Sequence, residues 1–186
     1  MNGTGRLLML AAALPVALAM STRASGLGSV LEPDGIAVTF FITHDCPVSN
    51  QYAPEIVRIC EHYADRGVTC SLVYVDPSLA DGAAHAHARA YGLDRYPLVV
   101  DRDHRLVRAA GAEVAPEAAI VTPDGQLRYR GRIDDRFVAW GQARRHVRTH
   151  DVRDALDALL SGKPVAQSRT PAVGCIISDL LGVKTP

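Results

Sequence analysis

The sequence has 186 residues, in which 20 lysines and arginines balance 20 aspartates and glutamates. A net charge of zero argues against nucleic acid, and against an acidic surface, as the partner of the protein. Its length allows one domain with a sizeable core, even after the amino-terminal segment considered next is removed.

Residues 1–25 have the pattern of an export signal. Arg6 supplies a positive charge, an apolar stretch follows over residues 7–20, and small residues suitable for cleavage come after it. The apolar stretch is short for a bilayer span, which needs about 20 residues, so an uncleaved anchor is the less favoured alternative. We predict a periplasmic or secreted protein without stable membrane insertion after cleavage.

The next part of the chain alternates apolar strand patterns with amphipathic helix patterns. The predicted strands cover residues 36–42, 68–76, 96–100, 117–122 and 126–131, and the predicted helices cover residues 47–66, 80–91, 106–112 and 152–160. The last two strands are joined by Thr122-Pro123-Asp124-Gly125, which is typical of a hairpin turn. This order predicts an α/β fold with a central mixed β-sheet and helices on both faces.

Cys46 lies at the junction of the first predicted strand and helix. Pro47 suits the first position of a helix, because its missing N–H would have no partner there. The unpaired N–H groups and the dipole at a helix N-terminus favour thiolate over thiol. We therefore predict an exposed, redox-active Cys46, with a structural disulfide as the alternative.

The chain combines Cys46 after a buried strand, Pro54 within the following helix, Val114-Ala115-Pro116 before the hairpin, the Asp124-Gly125 turn and Gly131. Together these features resemble the thioredoxin-like superfamily, and more closely its redoxin (peroxiredoxin-like, AhpC/TSA-type) branch. The resemblance implies a thioredoxin-like domain over residues 33–162 and a tail over residues 163–186. It also implies a cis-proline at Pro116 that faces Cys46, with Pro116, Ala115 and Pro47 as substrate-binding residues.

The sequence departs from two patterns of this superfamily. It has no Cys-x-x-Cys pair. It resembles the Pro-x-x-x-Thr-x-x-Cys pattern of peroxiredoxins in the spacing of Thr43 and Cys46, but Thr39 replaces the proline. On the resemblance, the Thr43 hydroxyl would hydrogen-bond a thiolate or a bound peroxide. Arg128, Arg130 and Arg132 are equal candidates for the assisting arginine, so protein disulfides and peroxide both remain candidate substrates.

The four cysteines can be sorted by their places on the predicted elements. Cys60 lies 14 residues after Cys46, about 21 Å along the same helix, which is too far for a disulfide. Cys70 lies near the beginning of the next strand, at the opposite edge of the sheet from Cys46. Cys60 and Cys70 could therefore form a structural disulfide, or they could be two buried apolar side chains.

Cys175 in the tail remains as the intramolecular partner of Cys46. The preferred interpretation is that Cys46 attacks a disulfide or peroxide and Cys175 resolves the product, with a separate redox partner protein and without cofactor or metal. A non-catalytic module with a static Cys46–Cys175 bridge is one alternative. A Sco-like copper carrier is another, with Cu(I) held by Cys46, Cys175 and a histidine. His85 and His87 are interpreted as solvated surface of the second helix.

Overall fold

The computed structural model describes residues 35–177, and within them a five-stranded mixed sheet in the order β3-β2-β1-β5-β6. The strands β1 (Ile36–Ile42), β2 (Val68–Tyr74) and β3 (Leu98–Val100) are parallel. β5 (Glu117–Val121) runs antiparallel to β1, and β6 (Leu127–Gly131) runs antiparallel to β5. The proposed export signal, residues 33–34 of the predicted domain and residues 178–186 of the tail lie outside the described residues.

Within residues 35–177, four helices pack against this sheet: α1 (Pro47–Ala64), α2 (Asp81–Ala90), α3 (Arg105–Ala110) and α4 (Asp151–Leu160). Side chains alternate between the faces of β1, so Phe40 packs in the core formed with α1, α2 and α4, whereas Phe41 packs with α3. The prediction of a mixed sheet with helices on both faces is confirmed. No helix in the described range is long and apolar enough to cross a membrane.

The strand and helix that surround Cys46 form as the sequence predicts. β1 has no polar alternation because it is buried on both faces, and six of its seven residues are buried. α1 begins at Pro47 and buries Ile56, Ile59, Cys60 and Tyr63, all at helical spacing. Pro54 lies inside α1, as the sequence predicts.

Cys60 and Cys70 form a disulfide at the far end of α1 from Cys46. Their Cα atoms are 5.8 Å apart, and the bond joins the last turns of α1 to the start of β2. Of the two interpretations left open for this pair, the structure contains the covalent one.

Two small antiparallel pairs have no counterpart in the sequence prediction. β7 (Phe137–Ala139) and β8 (Gln142–Ala143) form a hairpin. Its tip carries Trp140, which is 62% exposed. β4 (Val114–Ala115) pairs with β9 (Cys175–Ile176), so the tail returns to the sheet edge where Cys46 lies. The second pair determines the geometry of the candidate site.

Candidate functional site

Cys46 is the N-cap residue of α1, directly after the loop that leaves β1. It has extended backbone angles and no side-chain capping bond, and Pro47 follows it at the start of the helix. The sulfur therefore lies at the N-terminus of α1, as the sequence predicts. The predicted exposure is wrong, because Cys46 is completely buried. The tail covers it, which no local pattern around Cys46 could indicate.

Cys46 and Cys175 form a disulfide, with Cα atoms 6.1 Å apart and a sequence separation of 129. Cys175 is half-buried, so it is the more accessible end of the bond. β9 presents this residue by pairing Cys175 with Ala115 and Ile176 with Val114. The buried Ile177 then packs into the core on the α3 face of the sheet.

The Ala115–Pro116 segment forms the wall of the site opposite α1. The peptide bond between these residues is cis, as the resemblance implies. The Ala115 carbonyl oxygen lies 3.3 Å from the Cys46 sulfur, and Pro116 is buried beside it. Of the three predicted substrate-binding residues, Ala115 is thus next to the sulfur, whereas Pro47 is exposed at the start of α1.

Gly174 brings the tail very close to this wall. A Cβ atom at this position would overlap the carbonyl group of Ala115 and come within 3.0 Å of the Pro116 nitrogen. These neighbours are backbone atoms, which cannot rotate away as a side chain could. The Gly-Cys sequence of the tail therefore allows β9 to lie against β4.

Thr43 lies in the loop before Cys46, but its hydroxyl does not serve the sulfur. The Thr43 hydroxyl donates to Oδ1 of Asp45 at 2.7 Å, and this bond is the main cause that lowers the pKa of the Asp45 carboxyl. A carboxylate can only accept, so the hydroxyl proton of Thr43 is directed to Asp45. In this oxidised form, no hydrogen bond within the described residues joins the Thr43 hydroxyl to the Cys46 sulfur.

The three candidate arginines contact carboxylates. Arg128 pairs with Asp124 at 2.7 Å, the buried Arg130 with Glu117 at 3.5 Å, and Arg132 with Asp151 at 2.9 Å. Burial is the largest effect on the pKa of Glu117 and raises it, whereas the charge of Arg130 acts to lower that pKa. No hydrogen bond or ion pair joins any of the three arginines to Cys46 in residues 35–177.

The tail is fixed to the sheet just before it reaches the site. Thr170 is buried, its backbone N–H donates to the Arg130 carbonyl at 3.1 Å, and its hydroxyl lies 2.6 Å from that of Tyr129. The Arg132 N–H donates to the Thr170 hydroxyl oxygen at 3.2 Å. Thr170 is thus a fixed point, and the tail extends from it to Cys175.

His87 is the residue near the site that sequence reasoning missed. His85 is exposed, as predicted, but His87 is half-buried and hydrogen-bonded to Tyr74 and Asn50, so its interpretation as solvated surface is wrong. The signal was present in α2, where Ala84 and Ala88 mark the buried face and position 87 borders it. Within the described range, no group of three His, Cys, Asp or Glu residues could hold a metal ion.

Comparisons with known proteins agree with this fold. The model of the AhpC/TSA family matches residues 26–130, which include Cys46 but not Cys175. An uncharacterized conserved protein from Geobacillus kaustophilus is 28% identical, with 81% of this chain and 80% of that chain covered and a TM-score of 0.67. A hypothetical protein from Sinorhizobium meliloti 1021 is 26% identical, with 77% and 79% covered and a TM-score of 0.66.

A thioredoxin-like protein solved in its oxidized form shares the fold at 19% identity, with 72% of this chain and 82% of that chain covered and a TM-score of 0.52. Comparison with curated proteins finds no match for the sequence. The predicted thioredoxin-like fold is confirmed.

Proposed function

The chain belongs to the AhpC/TSA family, and from this premise we propose that it is an exported thiol–disulfide oxidoreductase of redoxin type. In this proposal Cys46 is the attacking thiolate and Cys175 is the resolving cysteine. Residues 33–162 are the thioredoxin-like domain, and residues 163–186 are a tail that delivers the second thiol.

One observation carries the proposal: a two-residue strand pairing presents Cys175 to a cysteine at a helix N-terminus. The β4–β9 pairing aligns Cys175 with Ala115, whose carbonyl oxygen is 3.3 Å from the Cys46 sulfur. When the disulfide is reduced, Cys46 remains at the N-terminus of α1, where the helix dipole and the unpaired N–H groups favour its thiolate. A low-pKa thiol is a good attacking group near neutral pH and a good leaving group.

The forward reaction has two exchange steps. The Cys46 thiolate attacks one sulfur of a protein disulfide, an S–S bond forms between them, and the other substrate sulfur leaves as a thiolate. The Cys175 thiolate then attacks the Cys46 sulfur and releases the second substrate thiolate. The substrate gains two electrons, and the protein is left with the Cys46–Cys175 disulfide.

The return reaction needs a dithiol reductant, and burial decides which sulfur it attacks. Cys46 is completely buried in the oxidised protein, whereas Cys175 is half-buried. The reductant thiolate therefore attacks Cys175, and Cys46 leaves as the thiolate stabilised by α1. A second thiolate of the reductant then releases Cys175 and completes the transfer of two electrons.

A disulfide substrate is better supported than a peroxide. The Thr43 hydroxyl donates to Asp45, and Arg128, Arg130 and Arg132 face carboxylates. A peroxidase of this family would need a donor and a positive charge directed at the peroxide beside Cys46. Thr43 and the three arginines are directed to other groups, so none of these four candidates fills either role in the described range.

An oxidising compartment fits both disulfides. Cys60–Cys70 and Cys46–Cys175 account for all four cysteines, and such bonds persist outside the cytosol. Together with the signal pattern of residues 1–25, this supports export to the periplasm or beyond the cell.

The proposal is tested by reacting the protein, with Cys46 and Cys175 reduced, with a chromogenic aromatic disulfide. The number of aromatic thiolates released per protein is measured. Protein whose Cys60–Cys70 bond is intact should release two aromatic thiolates and keep none, because Cys175 resolves the mixed disulfide. Cys175→Ser should release one and keep one on Cys46, and Cys46→Ser should react much more slowly.

Two results would contradict the proposal. Equal rates for Cys46→Ser and the wild type would remove Cys46 as the attacking thiolate. A Cys46–Cys175 bond that dithiol reductants open only after unfolding would identify the static bridge instead. Insulin-disulfide turnover by the wild type, and its loss in both variants, completes the test.

A further inference from the structure

A chain of hydrogen bonds joins the core to the loop that carries Cys46. It begins at Tyr74, the completely buried last residue of β2. The Tyr74 hydroxyl lies 2.8 Å from Nδ1 of His87 in α2, and Nε2 of His87 lies 2.9 Å from Oδ1 of Asn50 in α1. Nδ2 of Asn50 donates to the backbone carbonyl of His44 at 3.1 Å.

The direction of each bond follows from what the groups can do. The His44 carbonyl can only accept, so the amide nitrogen of Asn50 faces it and the amide oxygen faces His87. Nε2 of His87 must then carry a hydrogen, and the neutral ring accepts from the Tyr74 hydroxyl through Nδ1. A protonated ring would donate from both nitrogens and would displace the Tyr74 hydrogen from its acceptor.

The surroundings of His87 favour the neutral ring that this chain requires. Burial is the first cause that lowers its pKa, and the charge of His44 is the second. The His44 ring lies edge-on with centroids 6.5 Å apart, and the rings of Tyr74 and Tyr91 lie at 5.6 and 4.5 Å. Aromatic rings and the Asn50 amide are thus the neighbours of this half-buried imidazole.

Asn50 connects this chain to both sides of Cys46. Its backbone N–H donates to the Cys46 carbonyl at 3.0 Å and closes the first turn of α1. Its side chain holds the carbonyl of His44, two residues before Cys46. The two bonds fix the backbone on either side of the sulfur, which keeps Cys46 at the N-cap, where unpaired N–H groups favour the thiolate.

We propose that His87 is a positioning residue for Cys46: through Asn50 it holds the loop so that the sulfur stays at the N-terminus of α1. The inference rests on the proposed function only in taking Cys46 as the reacting thiol. Loss of the His87 donor lets the Asn50 amide turn and releases the His44 carbonyl. The Cys46 thiol then loses part of its stabilisation as thiolate.

The test measures the alkylation of Cys46 by iodoacetamide as a function of pH, in the full chain carrying Cys175→Ser. His87→Phe keeps a ring but removes the donor, and should slow alkylation at neutral pH about tenfold and shift the pH profile upward. His87→Gln keeps an N–H donor near the place of Nε2, and should stay within about twofold of the parent. His85→Phe is the matched control on the exposed side of α2, and should change nothing.

Two results would overturn the inference: a parental profile for His87→Phe, or a loss for His87→Gln equal to that for His87→Phe. If thermal melting shows that His87→Phe does not fold, Asn50→Leu takes its place, with the same slowing expected and a parental profile refuting it. Alkylation needs no substrate, so a chain that fails to turn over insulin still gives a clear result here.

Discussion

Substitution of Gly174 by alanine should make the Cys46–Cys175 bond easier to reduce. The added Cβ would meet the carbonyl group of Ala115 and the nitrogen of Pro116, so β9 must move away from β4 to make room. This cost arises only while the tail is seated against β4, and opening the disulfide removes the covalent bond that holds Cys175 at Cys46. We therefore expect the oxidised state to lose stability and the reduced state to keep it.

The size of the effect follows from the cost of overpacking. One extra carbon in a well-packed site typically costs about 1–3 kcal/mol. For a two-electron couple, about 1.4 kcal/mol corresponds to about 30 mV. The reduction potential of Gly174→Ala should thus lie about 20–60 mV above that of the wild type.

The assay is equilibration in dithiothreitol redox buffers, followed by trapping of thiols with a mass tag and peptide mapping of Cys46 and Cys175. Gly82→Ala is the matched control, because a Cβ at Gly82 meets nothing within 4 Å. A wild-type potential for Gly174→Ala would refute the close seating of the tail. An equal rise for Gly82→Ala would refute its attribution to this contact.

Three further predictions concern stability. Cys60→Ala with Cys70→Ala should lower the free energy of unfolding by about 3 kcal/mol, given the short loop that the bond closes, while insulin turnover stays unchanged; a loss of turnover would contradict this. Tyr52→Phe removes the 2.6 Å hydrogen bond to the buried Asp134 carboxylate and should cost about 2 kcal/mol in urea unfolding, so an unchanged midpoint would disprove that role. Burial raises the pKa of Glu117 above its ordinary 4.5, so the folded chain holds this proton more tightly than the unfolded chain. The resulting stability is present below pH 4.5 and declines as pH rises through the raised pKa; urea midpoints of Glu117→Gln should lack this decline, and identical pH dependence would refute it.

The part of the site built from consecutive residues could be predicted from the sequence. An apolar run without alternation, followed by Cys46-Pro47 and a helical pattern, indicates a buried strand, an N-cap and a helix, and the structure contains all three. The position of Pro116 opposite Cys46 could be predicted only from the resemblance to the thioredoxin-like superfamily, because the spacing of the residues along the chain does not indicate this contact.

The parts that depend on long-range packing could not be predicted. β9 has two residues, too few for a periodic pattern, so neither its pairing with β4 nor the burial of Cys46 beneath it has a local signal. His87 has polar partners on β2 and α1, and only the packing of α2 brings them together. The same limit applies to Thr43, whose hydroxyl bonds a neighbouring carboxylate instead of the sulfur.

Because Thr170 is anchored, the Cys175 thiol of the reduced protein competes with external partners for the Cys46 sulfur. Cys175 is five positions after Thr170, so the freed thiol can move at most about 17 Å from that anchor. A tether this short confines Cys175 at an effective concentration in the millimolar range near Cys46. Ring closure is therefore fast whenever a mixed disulfide forms on Cys46, and a weakly bound partner present below that concentration loses the contest for the sulfur.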